Sequence, residues 1–104
     1  ELKEKLGLSV LCEGNMEREC GGCYCGDLLS WVMSRAKEND IWLTVMGNVN
    51  AVAVAVLTDC ACIVLTENSA LDEEAKARAI QQGVTILRGT ENAYELSVRI
   101  SKLI

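Results

Sequence analysis

Asn39 to Asn68 reads NDIWLTVMGNVNAVAVAVLTDCACIVLTEN, and its three apolar runs decide the fold. Between Ile41 and Thr58 no residue is charged, in a chain where Asp, Glu, Lys and Arg make up 24%. A stretch this apolar in a small globular chain has to be core. Ile41–Met46 is apolar on both faces, the pattern of a central strand covered on both sides. Gly47–Asn50 is a polar turn. Ala51–Leu57 alternates like a strand, yet Ala is the strongest helix former and buried Val is tolerated in helices. Because another strand, Ala61–Thr66, follows Asp59, we read Ala51–Leu57 as a buried helix capped by Asn50.

Working outward, Glu1–Leu6 reads as a charged helical turn and Leu8–Cys12 as a strand. Gly14-Asn15 marks a turn within Glu13–Glu17, and Arg18–Tyr24 is a Gly- and Cys-rich loop or an irregular edge strand. Asp27 is a candidate N-cap for a helix that places Leu28, Leu29, Val32, Met33 and Ala36 on one face. Trp31 falls off that stripe and marks either a partner surface or the cover of a neighbouring loop. Beyond the central stretch, Ser69 opens a helix with Leu71, Ala75 and Ala79 inside, and Gly83 ends it. The pairs Asp72–Lys76 and Glu74–Arg78 stand at i,i+4 on its wet side. Val84–Leu87 is a strand, and Thr90 caps a last helix striped by Ala93, Leu96, Ile100 and Leu103. This order predicts one α/β domain over residues 1–104: a three-layer α/β/α sandwich around about four mostly parallel strands.

Composition narrows the function classes. The 104 residues carry a net charge of −5, with ten Lys and Arg that form no basic run. Nucleic acid and anionic membrane surfaces are therefore not expected partners, since both need clustered positive charge. A membrane span needs roughly 20 apolar residues, and Gly47, Asn48 and Asn50 interrupt the apolar stretch. No basic-then-apolar leader is seen, so the six cysteines read as reduced thiols of a cytoplasmic protein. The absence of His removes the Ser–His and Cys–His nucleophile pairs and imidazole metal ligands.

The order of elements, with Gly26-Asp27-Leu28-Leu29-Ser30, Ile41–Asn50 before the Ala/Val helix, Val84-Thr85-Ile86-Leu87 and Asn92-Ala93-Tyr94-Glu95-Leu96, resembles a DRTGG domain. Such domains are similar to the N-terminal domain of HPr kinase/phosphorylase, and the resemblance runs from about Leu6 to Ile104. The family signature has Gly-Asp-Arg where this chain has Gly47-Asn48-Val49, and Thr-Gly-Gly where it has Thr66-Glu67-Asn68. Only Gly47 and Thr66 survive. What the resemblance implies is an accessory regulatory module, as in domains beside CBS modules of pyrophosphatases and within phosphotransacetylases. It also implies small stand-alone members in anaerobes, near iron-hydrogenase genes. Kinase activity is not expected, because no G-x-x-x-x-G-K-[ST] loop is present to hold phosphates.

Three constellations remain. Gly47, Asn48, Val49 and Asn50 follow a central strand and open a helix, where open α/β sheets bind ligands and helix amides favour an anion. Thr66, Glu67 and Asn68 should end the adjacent strand and face the same crevice, making it a candidate site for a small anionic metabolite or nucleotide. Equally, Gly and Asn are ordinary turn and cap residues. Cys20-x-x-Cys23-x-Cys25, with Cys12 as a fourth thiolate, has partial ligand spacing for Zn or an iron–sulfur (Fe-S) cluster; the alternative is that reduced Cys serves as a small hydrophobe. Cys60-x-Cys62, at the entry of a strand, is weaker still. Finally, Asp27, Asp40, Asp59 and Glu67 each sit at an element end, as caps do, and no catalysis is expected from them. The reading is a non-catalytic regulatory, ligand-sensing or partner-docking module; the alternative is a thiolate metal or redox protein using Cys12, Cys20, Cys23 and Cys25. A homodimer and a protein partner are both expected, with Trp31 in the interface.

Overall fold

The computed structural model describes residues 4, 6–14 and 18–104. Five strands form one sheet: β1 (Ser9–Cys12), β2 (Gly22–Cys25), β3 (Asp40–Thr44), β4 (Cys62–Leu65) and β5 (Ile86–Arg88). Their spatial order is β1-β5-β4-β3-β2. β2, β3, β4 and β5 run parallel, and β1 closes the far edge antiparallel to β5. Four helices alternate with the parallel strands: α1 (Leu29–Arg35), α2 (Val49–Thr58), α3 (Glu73–Gln82) and α4 (Ala93–Ser101). The sheet therefore has one strand more than expected, because the Cys-rich segment is edge strand β2. The helical turn over Glu1–Leu6 and the turn over Glu13–Glu17 fall largely outside the described residues.

The core divides at the sheet. On one face Val32 of α1, Ala51, Val52, Val54 and Ala55 of α2, and Ala75 and Ala79 of α3 pack on Trp42, Ile63, Leu65 and Ile86. On the other, Leu96 and Ile100 of α4, joined by Leu6 and Leu8, cover Ile41, Leu43, Cys62, Val64 and Leu87. Every residue of β3 and β4 is buried, which explains their unbroken apolar runs. Each large side chain fully buried there contributes about 1.5–3 kcal/mol.

The ambiguous Ala/Val run is a helix for a reason visible in its burial. Ala51, Val52, Val54 and Ala55 are buried and Ala53, Val56 and Leu57 exposed, a helical face rather than a strand alternation. Small alanines line the contact, and Ala75 and Ala79 of α3 are likewise fully buried, so these two helices lie close together. Gly83 ends α3 at φ 70°, its amide donating to the carbonyls of Ala79 and Ile80.

Caps depart from expectation in four places. Asn48, not Asn50, caps α2, its Oδ1 accepting from the Ala51 amide at 2.9 Å. Asp72 rather than Ser69 precedes α3, and Ser69 Oγ donates instead to the Thr66 carbonyl. Asn92, not Thr90, caps α4 in a reciprocal capping box with Glu95. Asp27 caps nothing: α1 starts after Leu28 without a side-chain cap, because the carboxylate turns toward β3. On α1 itself only Val32 is fully buried, while Leu28 and Met33 are exposed. A seven-residue helix packing through one turn cannot bury both sides of its stripe.

Candidate functional site

The parallel strands end together, so the loops after β2, β3, β4 and β5 gather at the sheet's carboxyl edge. Asp27, after β2, accepts from Thr44 Oγ1 at 2.6 Å and from the Val45 amide at 2.9 Å. Thr44 Oγ1 in turn accepts from the Met46 amide at 3.2 Å. This chain of bonds holds the backbone leaving β3 and aims it into Gly47.

At Gly47 the turn is pressed against the loop after β4. The Asp72 amide donates to the Gly47 carbonyl at 2.8 Å. A Cβ on Gly47 would lie 2.0 Å from the Ala70 carbonyl oxygen and 3.0 Å from Leu71 Cα. The two loops are thus one unit. Asn48 then caps α2, and Val49 and Asn50 form its first turn, the end at which amides have no intrahelical partner and the dipole favours an anion.

The loop after β4 is more committed than its sequence suggests. Thr66 is 2% exposed, and its amide donates to the Thr44 carbonyl at 3.0 Å. Glu67 and Asn68 stand at φ 55° and 57°, the left-handed region. Their amides donate to the carbonyls of Glu91 at 2.9 Å and Gly89 at 2.8 Å, in the loop after β5. The side chains of Glu67 and Asn68 remain exposed. The structure therefore brings the two segments to one edge, with Asn50, Glu67 and Asn68 exposed while Gly47, Thr66 and the Asn48 side chain are engaged internally.

Arg88 was not singled out from sequence and belongs to this edge. It ends β5, is half-buried, and places Nη1 3.4 Å from the Ser69 carbonyl. The available signal was a cation closing an otherwise apolar strand, Val84-Thr85-Ile86-Leu87-Arg88.

The cysteines do not gather as a four-thiolate set. Cys12 lies in β1 at the opposite edge of the sheet from β2, and it packs with α1–α3. Cys23 and Cys25 pair with Ile41 and Leu43, so they share the α4 face, where Cys20 also packs. Cys62 lies on that face too, buried two strands away from Cys23. Among the described residues no group of three or more His, Cys, Asp or Glu is placed to hold a metal ion. The residues present do not fit the expected Zn or iron–sulfur site. Burial raises the thiol pKa of Cys12, Cys60 and Cys62. A side-chain hydrogen bond between Cys23 and Cys25 instead lowers Cys25 to about 7 and raises Cys23.

Trp31 is 54% exposed, with the Arg35 guanidinium carbon 3.9 Å from its ring centroid. At the other end of the sheet, a cavity of about 120 Å³ is lined by Arg18, Asp59, Cys60 and Thr85, among others. Its cation is already satisfied: Arg18 pairs with Asp59 at 3.0 Å and donates to Asn39 Oδ1 at 2.6 Å. No described helix is long and apolar enough to cross a membrane.

Comparison with known proteins gives two findings. A family model described as DRTGG domain matches residues 1–103. The fold is similar to a crystal structure of the CBS and DRTGG domains of the regulatory region of Clostridium perfringens pyrophosphatase, complexed with its activator diadenosine tetraphosphate. That likeness has a TM-score of 0.78 at 15% identity, covering 95% of this chain and 44% of the other. This chain thus spans less than half the length of that one. A comparison with curated protein sequences gives no match.

Proposed function

The chain belongs to the DRTGG domain family, and on that premise we propose that it is a cytoplasmic regulatory module that senses a small anionic ligand and performs no catalysis of its own. The observation that carries the reading is the gathering of the Gly47–Asn50 and Thr66–Asn68 turns at the carboxyl edge of adjacent parallel strands, where the Asp72 amide ties the loop after β4 to the Gly47 carbonyl. Ligands of open α/β sheets sit at such an edge. The first turn of α2 supplies amides, Asn50 and Asn68 supply neutral side-chain donors, and Arg88 supplies positive charge in a chain of net charge −5. A nucleotide or phosphorylated metabolite fits this chemistry. The similar pyrophosphatase region is complexed with a dinucleotide activator, which supports the same ligand class. The exposed outer side of α1, with Leu28, Trp31 and Met33, is the surface we assign to a second copy or a protein partner.

Thermal-shift titration with adenine nucleotides, diadenosine polyphosphates and phosphorylated metabolites tests the ligand. At ten times Kd, a true ligand adds about 1.4 kcal/mol and shifts Tm by roughly 5–10 °C. Arg88→Gln and Asn50→Ala should abolish most of that shift without preventing folding. A shift that survives both variants would place the ligand elsewhere, and no shift with any compound would end the reading. Sedimentation of the native chain and of Trp31→Ala tests the interface: a dimer that dissociates on substitution is expected, and a monomeric native chain refutes self-association.

A further inference from the structure

Two of the six cysteines differ from the rest in being exposed, and they are adjacent in space. Cys23 and Cys25 occupy alternate positions of β2, so their side chains leave the same face of the sheet. Among the described residues that face is covered by α4 with Leu6 and Leu8, whereas α1, α2 and α3 cover the other. Among the described residues β2 is also an edge strand, bonded on one side only, to β3. Gly21, Gly22 and Gly26 flank the pair and add no side chain that would screen it.

We propose that Cys23 and Cys25 form a redox couple, closing a reversible disulfide along the free edge of β2 by exchange with a low-molecular-weight disulfide. The Cys25 thiolate attacks one sulfur of R–S–S–R, forming a Cys25–S–S–R mixed disulfide and expelling RS⁻, which takes a proton from water. Cys23 Sγ then attacks Cys25 Sγ; the mixed S–S bond breaks, and the departing RS⁻ takes the Cys23 proton. Two thiols are oxidised and one external disulfide is reduced to two R–SH.

Geometry makes the bond reversible. Alternate Cα atoms of a strand stand about 6.4–6.8 Å apart, at the upper end of the range a disulfide spans. Such a bridge is strained and easily reduced, the property of regulatory rather than structural disulfides. An edge strand has the freedom to contract around it, since no ladder on its outer side resists.

The roles of the two sulfurs follow from their surroundings. Cys25 is the attacking sulfur because the neighbouring Cys23 thiol lowers its pKa to about 7, against an ordinary value of 9, despite desolvation and the opposing charge of Asp27. Cys23 stays protonated, with Asp40 and Cys62 adding to the effect of Cys25. At pH 7 the lowered pKa gives Cys25 a larger thiolate fraction than an ordinary thiol, an advantage its lower intrinsic nucleophilicity offsets only in part. Cys25 should therefore react faster than the other thiols of the chain.

The test uses the reduced full chain, exposed to oxidised glutathione at pH 7, quenched with an alkylating agent and mapped by mass spectrometry. A loss of two protons located to a linked Cys23–Cys25 peptide, reversed by reduced glutathione, is expected. Cys23→Ser should accumulate a stable glutathione adduct on Cys25, and Cys25→Ser should lose the fast-reacting thiol. The alkylation rate of Cys25 should rise with pH through a midpoint near 7 and level off above it. A bridge mapped to Cys20 instead, a native chain that retains the adduct on Cys25, or a Cys25 no faster than Cys20 overturns the proposal. The native-chain mapping needs no variant, so it decides even if a serine substitution disturbs folding.

Discussion

The two turns at the carboxyl edge of the sheet set their backbones by different means. The turn after β3 carries Gly47. The turn after β4 has no glycine, yet Glu67 and Asn68 hold the left-handed backbone that glycine favours, at φ 55° and 57°. At Gly47 the obstacle is another piece of backbone: any Cβ would sit 2.0 Å from the Ala70 carbonyl oxygen, and the Asp72–Gly47 hydrogen bond keeps the two loops together. At residues 67 and 68 the obstacle is only conformational, on the order of 1–2 kcal/mol per L-residue and less for Asn. Two backbone hydrogen bonds to the loop after β5 hold the strained pair in place. A collision with backbone cannot be offset by neighbours; a dihedral preference can.

That contrast can be broken most directly at Gly47. Gly47→Ala should destabilise the chain by about 3 kcal/mol in denaturant unfolding, since the contact is with main chain rather than a movable side chain. A loss under 1 kcal/mol would mean the loops part easily. The next effect down is at the other function of the same turn. Asn48→Ala removes the α2 cap and should cost about 1 kcal/mol, read as a lower midpoint at unchanged slope.

On the second turn the sign reverses. Glu67→Gly relieves the left-handed penalty at some cost in unfolded-state entropy and should stabilise by about 0.5–1 kcal/mol. Glu67→Ala keeps the penalty and should stay within about 0.5 kcal/mol of the native chain. If Ala and Gly gave the same gain, the side chain rather than the backbone would be responsible, and the comparison would fail. The smallest change is expected from Asn68→Gly, a few tenths of a kcal/mol, because Asn tolerates this region already.

The sheet's interior was legible because burial writes itself into composition. Ile41-Trp42-Leu43 of β3 and all of β4 are apolar as they are covered on both faces, and α4 shows Leu96 and Ile100 at helical spacing. The caps were less legible. Asn48, Asp72 and Asn92 each lie two or three positions from the residue the pattern favoured, since several Asn, Asp, Ser and Thr near each helix start are equally competent. Asp27 has the residue type of a cap but does not serve as one for a different reason: its partners, Thr44 and Val45, come from the end of another strand. At the candidate site, sequence placed both turns on one edge but gave no sign that Thr66 would be buried or that Arg88 would join them.

For the cysteines, sequence spacing grouped Cys12 with Cys20, Cys23 and Cys25, and the strand order separated it, placing β1 and β2 at opposite edges. Strand order depends on which apolar faces the helices must cover, a non-local condition that spacing along the chain does not carry. By itself, then, the sequence determined that this is an α/β domain with a buried central stretch and where most of its strands and helices lie, leaving the Cys-rich segment open between loop and edge strand. Only the tertiary structure decided which turns touch, which glycine is irreplaceable and which thiols are neighbours. Hydrophobic periodicity is local and reads directly from the chain, whereas close approach of backbones and strand neighbours arises from packing between distant segments.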